Sequence, residues 1–120
     1  MGAWMKKIVI VMCCLPVSGL VWADAVTTYQ QDVRPILERH CVDCHSGWFP
    51  DAGLDLSERT AILAGARSGP LVVAGKPDKG WLMHSITRAT GRQQMPPADK
   101  PPLSEQEKAV LVHWIEQGLK

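Results

Sequence analysis

The chain has 120 residues, 46% of them hydrophobic, and its 13 basic and 12 acidic residues leave a formal charge of +1. This length and composition predict one small globular domain and exclude collagen-like, mucin-like and disordered-tail classes. Because the balanced charge offers no basic field for a phosphate backbone, general nucleic-acid binding is excluded as well.

The first 23 residues differ in composition from the rest of the chain. Lys6 and Lys7 precede an apolar run from Ile8 to Leu20, and Ala23 closes the segment. This order predicts a signal peptide, residues 1–23, that is cleaved after Ala23. The apolar run is shorter than the roughly 20 residues of a spanning helix, so a membrane anchor retained at the N-terminus is the less favoured alternative.

Cleavage of the signal peptide would determine which cysteines the mature protein keeps. Cys13 and Cys14 lie inside the apolar run and would be removed with it, which leaves Cys41 and Cys44 in a domain of residues 24–120. A lipid anchor on one of the discarded cysteines is a minor alternative, because neither follows a small residue. Met5 is an alternative start, since the two lysines follow it directly. We therefore expect a weakly acidic domain located in the periplasm.

Clusters of Gly and Pro divide this domain into short elements, and no alternating stretch between them is long enough to suggest a sheet. Apolar residues at helical spacing predict an all-α fold of about four short helices with long Pro/Gly-rich loops. The predicted helices are Tyr29 to Cys41, Ser57 to Gly65, about Asp78 to Ala89, and Ser104 to Gly118.

The ends and faces of these helices can be predicted in part. The first helix begins either at a capping box on Thr27 or Thr28, or at Asp32 with Pro35 in its first turn. In the second, Ser57 is the expected cap and Ile62 and Leu63 the expected core residues. The fourth has a clear capping box, Ser104 with Glu107, and an apolar stripe over Val110, Leu111, Trp114, Ile115 and Leu119.

The sequence Cys41-Val42-Asp43-Cys44-His45 follows the first helix, and Cys-x-x-Cys-His is the attachment pattern of a c-type haem. Cysteines at i and i+3 project from one side of a helical turn, so both thiols can reach the two vinyl groups of one haem edge. His45 is then placed beneath the iron as its proximal ligand. We predict one covalent haem c on these residues.

Two other chemistries use paired cysteines. A structural zinc site needs two further ligands, and His40, His84 and His113 form no second paired motif. A redox disulfide normally opens a helix after a strand, whereas this pair closes a helix in a chain without predicted strands. Both alternatives are therefore disfavoured.

Met95 is the predicted distal iron ligand. It stands in Gln94-Met95-Pro96-Pro97, where two prolines fix the backbone beside the thioether. Met83 and His84, both within the third predicted helix, are the competing candidates. Trp48, Trp81 and Trp114 could pack on the macrocycle, although such residues more often belong to the core. A backbone carbonyl near Pro50 is expected to accept a hydrogen bond from Nδ1 of His45.

Taken in order, six segments resemble the planctomycete-type cytochrome c domain, a relative of class I cytochrome c. The resemblance covers nearly all of Tyr29 to Leu119. It implies a small all-helical fold around one covalent haem, with His45 proximal and Met95 distal, and with the first and last helices packed together. The segments are Asp32 to Leu37, Cys41 to His45, Gly53 to Leu56, Gly75 to Pro77, Met95 to Pro97 and Leu103 to Glu107.

The expected function is that of an electron carrier. An exported monohaem cytochrome would pass single electrons between redox proteins, and no residue pattern here suggests a hydrolytic triad or an acid/base pair. The alternative is a haem sensor or peroxidase-like enzyme, in which Met95 does not bind and the iron keeps an open site. The identities of the donor and acceptor are not encoded in these residues.

Overall fold

The computed structural model describes residues 25–89 and 91–120. Across these residues it contains four α-helices and no strand, which confirms the predicted all-α fold. The helices are α1 (Arg34–His40), α2 (Arg59–Ala64), α3 (Trp81–Thr87) and α4 (Glu105–Glu116), and single helical turns cover Tyr29–Val33, Asp51–Gly53 and Gly91–Gln93. No described helix has the length and hydropathy needed to cross a membrane. The predicted signal peptide lies outside the described residues.

The first helical segment begins at Thr28. Its hydroxyl accepts the N–H of Gln31 at 3.3 Å, and its own N–H donates to the Asp32 carboxylate at 2.7 Å. Thr28 is therefore the cap, and the reciprocal bond comes from Asp32. The segment opens as a π turn, Tyr29–Val33, in which the N–H of Arg34 bonds the carbonyl of Tyr29. Pro35 falls within the first turn of α1, where its missing N–H costs little.

The two middle helices are shorter than predicted. Ser57 does not cap α2, because its hydroxyl bonds the Asp55 carboxylate at 2.6 Å instead. Ile62 is 1% exposed as expected, but the prediction for Leu63 was wrong, since it is 43% exposed. The Gly65 stop is confirmed, with φ at +83°. In α3 the buried residues are Leu82 and Met83.

Helix α4 forms as predicted and closes the core. The Ser104 hydroxyl accepts the N–H of Glu107 at 3.1 Å, and the Glu107 carboxylate accepts the N–H of Ser104 at 2.8 Å. Leu111, Trp114 and Ile115 are each 1% exposed or less. Burial of this stripe supplies most of the stability of such a helix.

The first and last segments pack together, as the resemblance implies. The rings of Tyr29 and Trp114 lie 6.0 Å apart at an angle of 43°. The Trp114 indole N–H donates to the carbonyl of Lys120 at 2.8 Å, and the N–H of Tyr29 donates to the same carbonyl at 2.9 Å. The contact therefore centres on the π turn before α1.

Glu107 also joins the N-terminal end of α4 to the C-terminal end of α1. Its carboxylate pairs with Arg39 and lies 3.1 Å from Nε2 of His40. The backbone N–H of Ser104 and the bonds to His40 and to the Ser104 hydroxyl lower the pKa of Glu107 from 4.5 to about 2. This one carboxylate therefore stabilises both helix ends while it is ionised.

Replacing Glu107 by Gln should change how stability depends on pH. Because folding lowers the pKa of Glu107, its contribution is complete above pH 4.5 and is lost as the pH falls toward about 2. We expect E107Q to unfold at lower urea concentration than wild type at pH 7, with the difference shrinking below pH 4.5. Glu105→Gln is the control, because that side chain is 88% exposed and its pair with Lys108 is screened. An equal difference at pH 7 and pH 3 would contradict this role.

Candidate functional site

A cavity of about 330 Å³ lies between the end of α1, the loop after it, α3 and the Met95 loop. This volume falls within the range of small-molecule sites. Its wall is largely aliphatic, and the four predicted site residues, Cys41, Cys44, His45 and Met95, all lie on it. The larger aliphatic side chains of the wall are Leu54, Leu56, Leu71, Leu82 and Ile86.

The two cysteines and His45 reach the cavity through one continuous turn. Cys41 directly follows α1, and its carbonyl accepts the N–H groups of both Cys44 at 3.3 Å and His45 at 3.0 Å. The chain therefore keeps turning after the helix instead of extending. This local geometry is what the i, i+3 spacing of the cysteines predicted.

The two thiols are free and lie in different surroundings. Cys41 is half-buried and Cys44 is exposed. Burial, followed by the proximity of Cys44, raises the pKa of the Cys41 thiol from 9.0 to about 11. A half-buried neutral thiol on an apolar wall suits a thioether, which carries no charge and needs no hydrogen bond. No group of three or more candidate ligands for a metal ion occurs in the described part of the chain.

His45 is oriented by a hydrogen bond to the backbone. Its Nδ1 lies 3.0 Å from the carbonyl oxygen of Asp51, which can only accept, so Nδ1 carries the hydrogen. In the neutral ring the lone pair is then on Nε2, the atom left to bind iron. The carbonyl was expected near Pro50, and it belongs to the next residue.

The loop that supplies this carbonyl is fixed at its base. The N–H of Asp51 donates to the carbonyl of Cys44 at 3.0 Å, and the N–H of Leu56 donates to that of His45 at 2.8 Å. Both bonds attach the loop to the Cys-x-x-Cys-His turn itself. The carbonyl of Asp51 is therefore held at a fixed position relative to the imidazole that it orients.

Met95 approaches the cavity from the segment after α3. Its N–H donates to the carbonyl of Ser85 at 3.0 Å, which ties the loop to the helix. The side chain is half-buried, and Pro96 beside it is buried. Backbone attachment and the following prolines hold the thioether at a set place on the wall.

The competing distal candidates lie elsewhere. Met83 is 6% exposed and belongs to the hydrophobic core. His84 contacts the ring of Trp81 edge-to-face at 5.3 Å. Neither residue is on the cavity wall. Helix α3 therefore contributes its other side, including Leu82 and Ile86, to the cavity.

Other wall residues were not predicted. Leu71, Ser85 and Lys100 line the cavity, yet no local motif marks them. Leu54 and Leu56 belong to one of the segments that carry the resemblance, so that pattern was the available signal. The three tryptophans of the described residues, Trp48, Trp81 and Trp114, do not line the cavity. Trp114 is core, whereas Trp48 is 96% exposed, as is its neighbour Phe49.

These residues fit a haem. An aliphatic cavity suits the macrocycle, two thiols on its edge suit thioether attachment, and an imidazole nitrogen and a thioether sulfur on the same wall suit the iron. A small all-helical fold with a Cys-x-x-Cys-His turn at such a cavity defines the class of c-type cytochromes.

Comparison with known families gives the same class. Residues 41–99 match the family described as Planctomycete cytochrome C. The match confirms the resemblance over that segment and indicates a haem-binding cytochrome domain with covalently attached haem c. Searches of curated proteins and of solved structures gave no significant match.

Gly80 allows the backbone of Leu71, on the cavity wall, to lie close to the start of α3. A Cβ at this position would lie 2.2 Å from the carbonyl oxygen of Leu71, the same oxygen that accepts the N–H of Leu82 at 3.0 Å. We expect Gly80→Ala to lower the free energy of unfolding of the haem-loaded protein by roughly 1–3 kcal/mol, because Leu71 and the start of α3 must move apart to admit the methyl group. Denaturant unfolding measures this loss.

The matched control is the neighbouring residue. Lys79 is exposed and pairs only with Asp78 at 3.4 Å, so Lys79→Ala should change stability by less than about 0.5 kcal/mol. If G80A were as stable as K79A, the close approach of Gly80 to Leu71 would not be needed for the fold.

Proposed function

We propose that this protein is an exported monohaem c-type cytochrome that carries single electrons between redox proteins. The observation that supports this most directly is that Cys41, Cys44, His45 and Met95, which are up to 54 positions apart in sequence, line one aliphatic cavity. Cys41 and Cys44 would form the two thioethers, with His45 as the proximal and Met95 as the distal iron ligand.

The proposed number of haems is one. The sequence contains a single Cys-x-x-Cys-His motif, and the other two cysteines, Cys13 and Cys14, lie in the predicted leader. Within the described residues that motif lines a largely apolar cavity, which agrees with one attachment site.

The ligand pair supports a carrier over an enzyme. When bound, haem c supplies a one-electron couple whose potential the protein sets through ligands, burial and hydrogen bonds. Nε2 of His45 and the sulfur of Met95 would both hold the iron, which would leave no coordination position open to a substrate. A methionine ligand raises the potential, which suits electron transfer.

The proposed location and partners agree with c-type haem attachment. In bacteria c-type attachment takes place outside the cytoplasmic membrane, which agrees with the predicted leader and a periplasmic location; retention of the leader as an anchor is the alternative. The donor and acceptor would be redox proteins. Removal of Lys6 and Lys7 with the leader would leave 11 basic and 12 acidic residues, and this near balance favours weak encounters with little electrostatic steering.

Exchange of Met95 tests the proposed ligation. Wild-type ferric protein should show the weak sulfur-to-iron band at about 700 nm. Met95→Leu should abolish this band and lower the midpoint potential, because the thioether is replaced by an aliphatic group. Met83→Leu is the matched control: that residue is buried away from the cavity, and the swap nearly conserves volume, so band and potential should persist.

Two results would contradict the proposal. A band that survives in M95L would show that another residue is the distal ligand. A high-spin wild-type spectrum that responds to carbon monoxide would show an open iron site, and would favour a haem sensor or peroxidase-like protein.

A further inference from the structure

His40 is a second histidine on the cavity wall, and the proposed ligation does not use it. It is the last residue of α1, directly before Cys41, and its side chain is only 8% exposed. It lines the same cavity as His45 and Met95. A change in its charge would therefore act on a group bound in this cavity, because much of the wall between them is apolar and screens charge weakly.

Glu107 determines which ring nitrogen of His40 can titrate. The carboxylate is 3.1 Å from Nε2 and, being ionised, can only accept, so Nε2 keeps its hydrogen. No described residue bonds Nδ1, and among the described residues no side-chain nitrogen or oxygen is both buried and unpaired. Nδ1 is therefore the ring nitrogen that is left to accept a proton.

Several other charged or titratable groups surround this ring. Arg39 pairs with the same Glu107 oxygen from the neighbouring position. Histidine side chains ordinarily titrate between pH 5 and 8, whereas carboxylates, lysines and arginines ordinarily titrate outside that range. With the thiols converted to thioethers and His45 bound to iron, His40 is the remaining imidazole on the wall. The remaining titratable groups on the wall are Cys41, Asp43, Cys44, His45, Asp51 and Lys100.

We propose that His40 couples electron transfer in this site to a proton, an inference that rests on the proposed haem carrier function. When a donor redox protein delivers one electron, the site loses one unit of positive charge, and Nδ1 of His40 takes up one proton from water to form an imidazolium paired with Glu107. When the electron leaves for the acceptor, the proton returns to water. His40 thus acts as a positioning residue for charge and does not ligate the iron.

The midpoint potential of the full-length, haem-loaded protein, measured by spectroelectrochemistry from pH 5 to 8, tests this coupling. If reduction takes up a proton, the wild-type potential falls as the pH rises, by as much as about 59 mV per pH unit, the one-electron value of a tenfold change. His40→Gln should remove this dependence over the same range. His113→Gln is the matched control, because His113 bonds Gln117 at 2.8 Å and is not on the cavity wall; it should keep the wild-type slope.

A second variant keeps the test decisive if H40Q fails to take up haem. Glu107→Gln removes the negative charge that favours the imidazolium, so the pH range of the fall should move to lower pH. A wild-type potential that is flat from pH 5 to 8, an unchanged slope in H40Q, or an unmoved range in E107Q would each overturn the proposal. A protein without a one-electron couple would contradict the proposed function itself, whereas a couple with a flat profile contradicts this inference alone.

Discussion

The site depends first on the hydrogen bond between Nδ1 of His45 and the carbonyl of Asp51, at 3.0 Å. This bond fixes which nitrogen of the imidazole carries the hydrogen and which one is left to bind iron. The loop that provides the carbonyl is itself bonded to Cys44 and to the carbonyl of His45. The Cys-x-x-Cys-His turn and the following loop therefore form one unit that presents the thiols and the imidazole together.

The rest of the fold positions the other part of the cavity wall. Segment 70–72 pairs with the start of α3 through bonds from Trp81 to Pro70 and from Leu82 to Leu71. The Met95 loop is then tied to α3 through Ser85. A chain of this size has a small core and depends on additional constraints for stability. A covalently held macrocycle that covers the aliphatic wall would supply such a constraint, so cofactor binding and stability are coupled in this protein.

Local patterns were sufficient to predict several of these features. The Ser104–Glu107 capping box, the Gly65 stop and the burial of Trp114 each follow from residues close in sequence or from one helical period. The Cys-x-x-Cys-His motif also identified the residues that line the cavity from the end of α1.

Features that depend on distant contacts could not be predicted in this way. Leu71 lines the cavity only because a buried glycine, Gly80, allows its backbone to approach α3. Leu63 and Ile62 are equally apolar in sequence, and only the packing of the folded chain leaves one exposed and the other buried. The burial of His40 against Glu107 likewise joins residues 67 positions apart.

The intact mass of the denatured, fully matured protein tests the central claim most directly. Thioether attachment predicts a mass equal to residues 24–120 plus one haem, with the haem retained by the polypeptide after unfolding. A colourless polypeptide whose mass equals that of its amino acids alone would contradict the account.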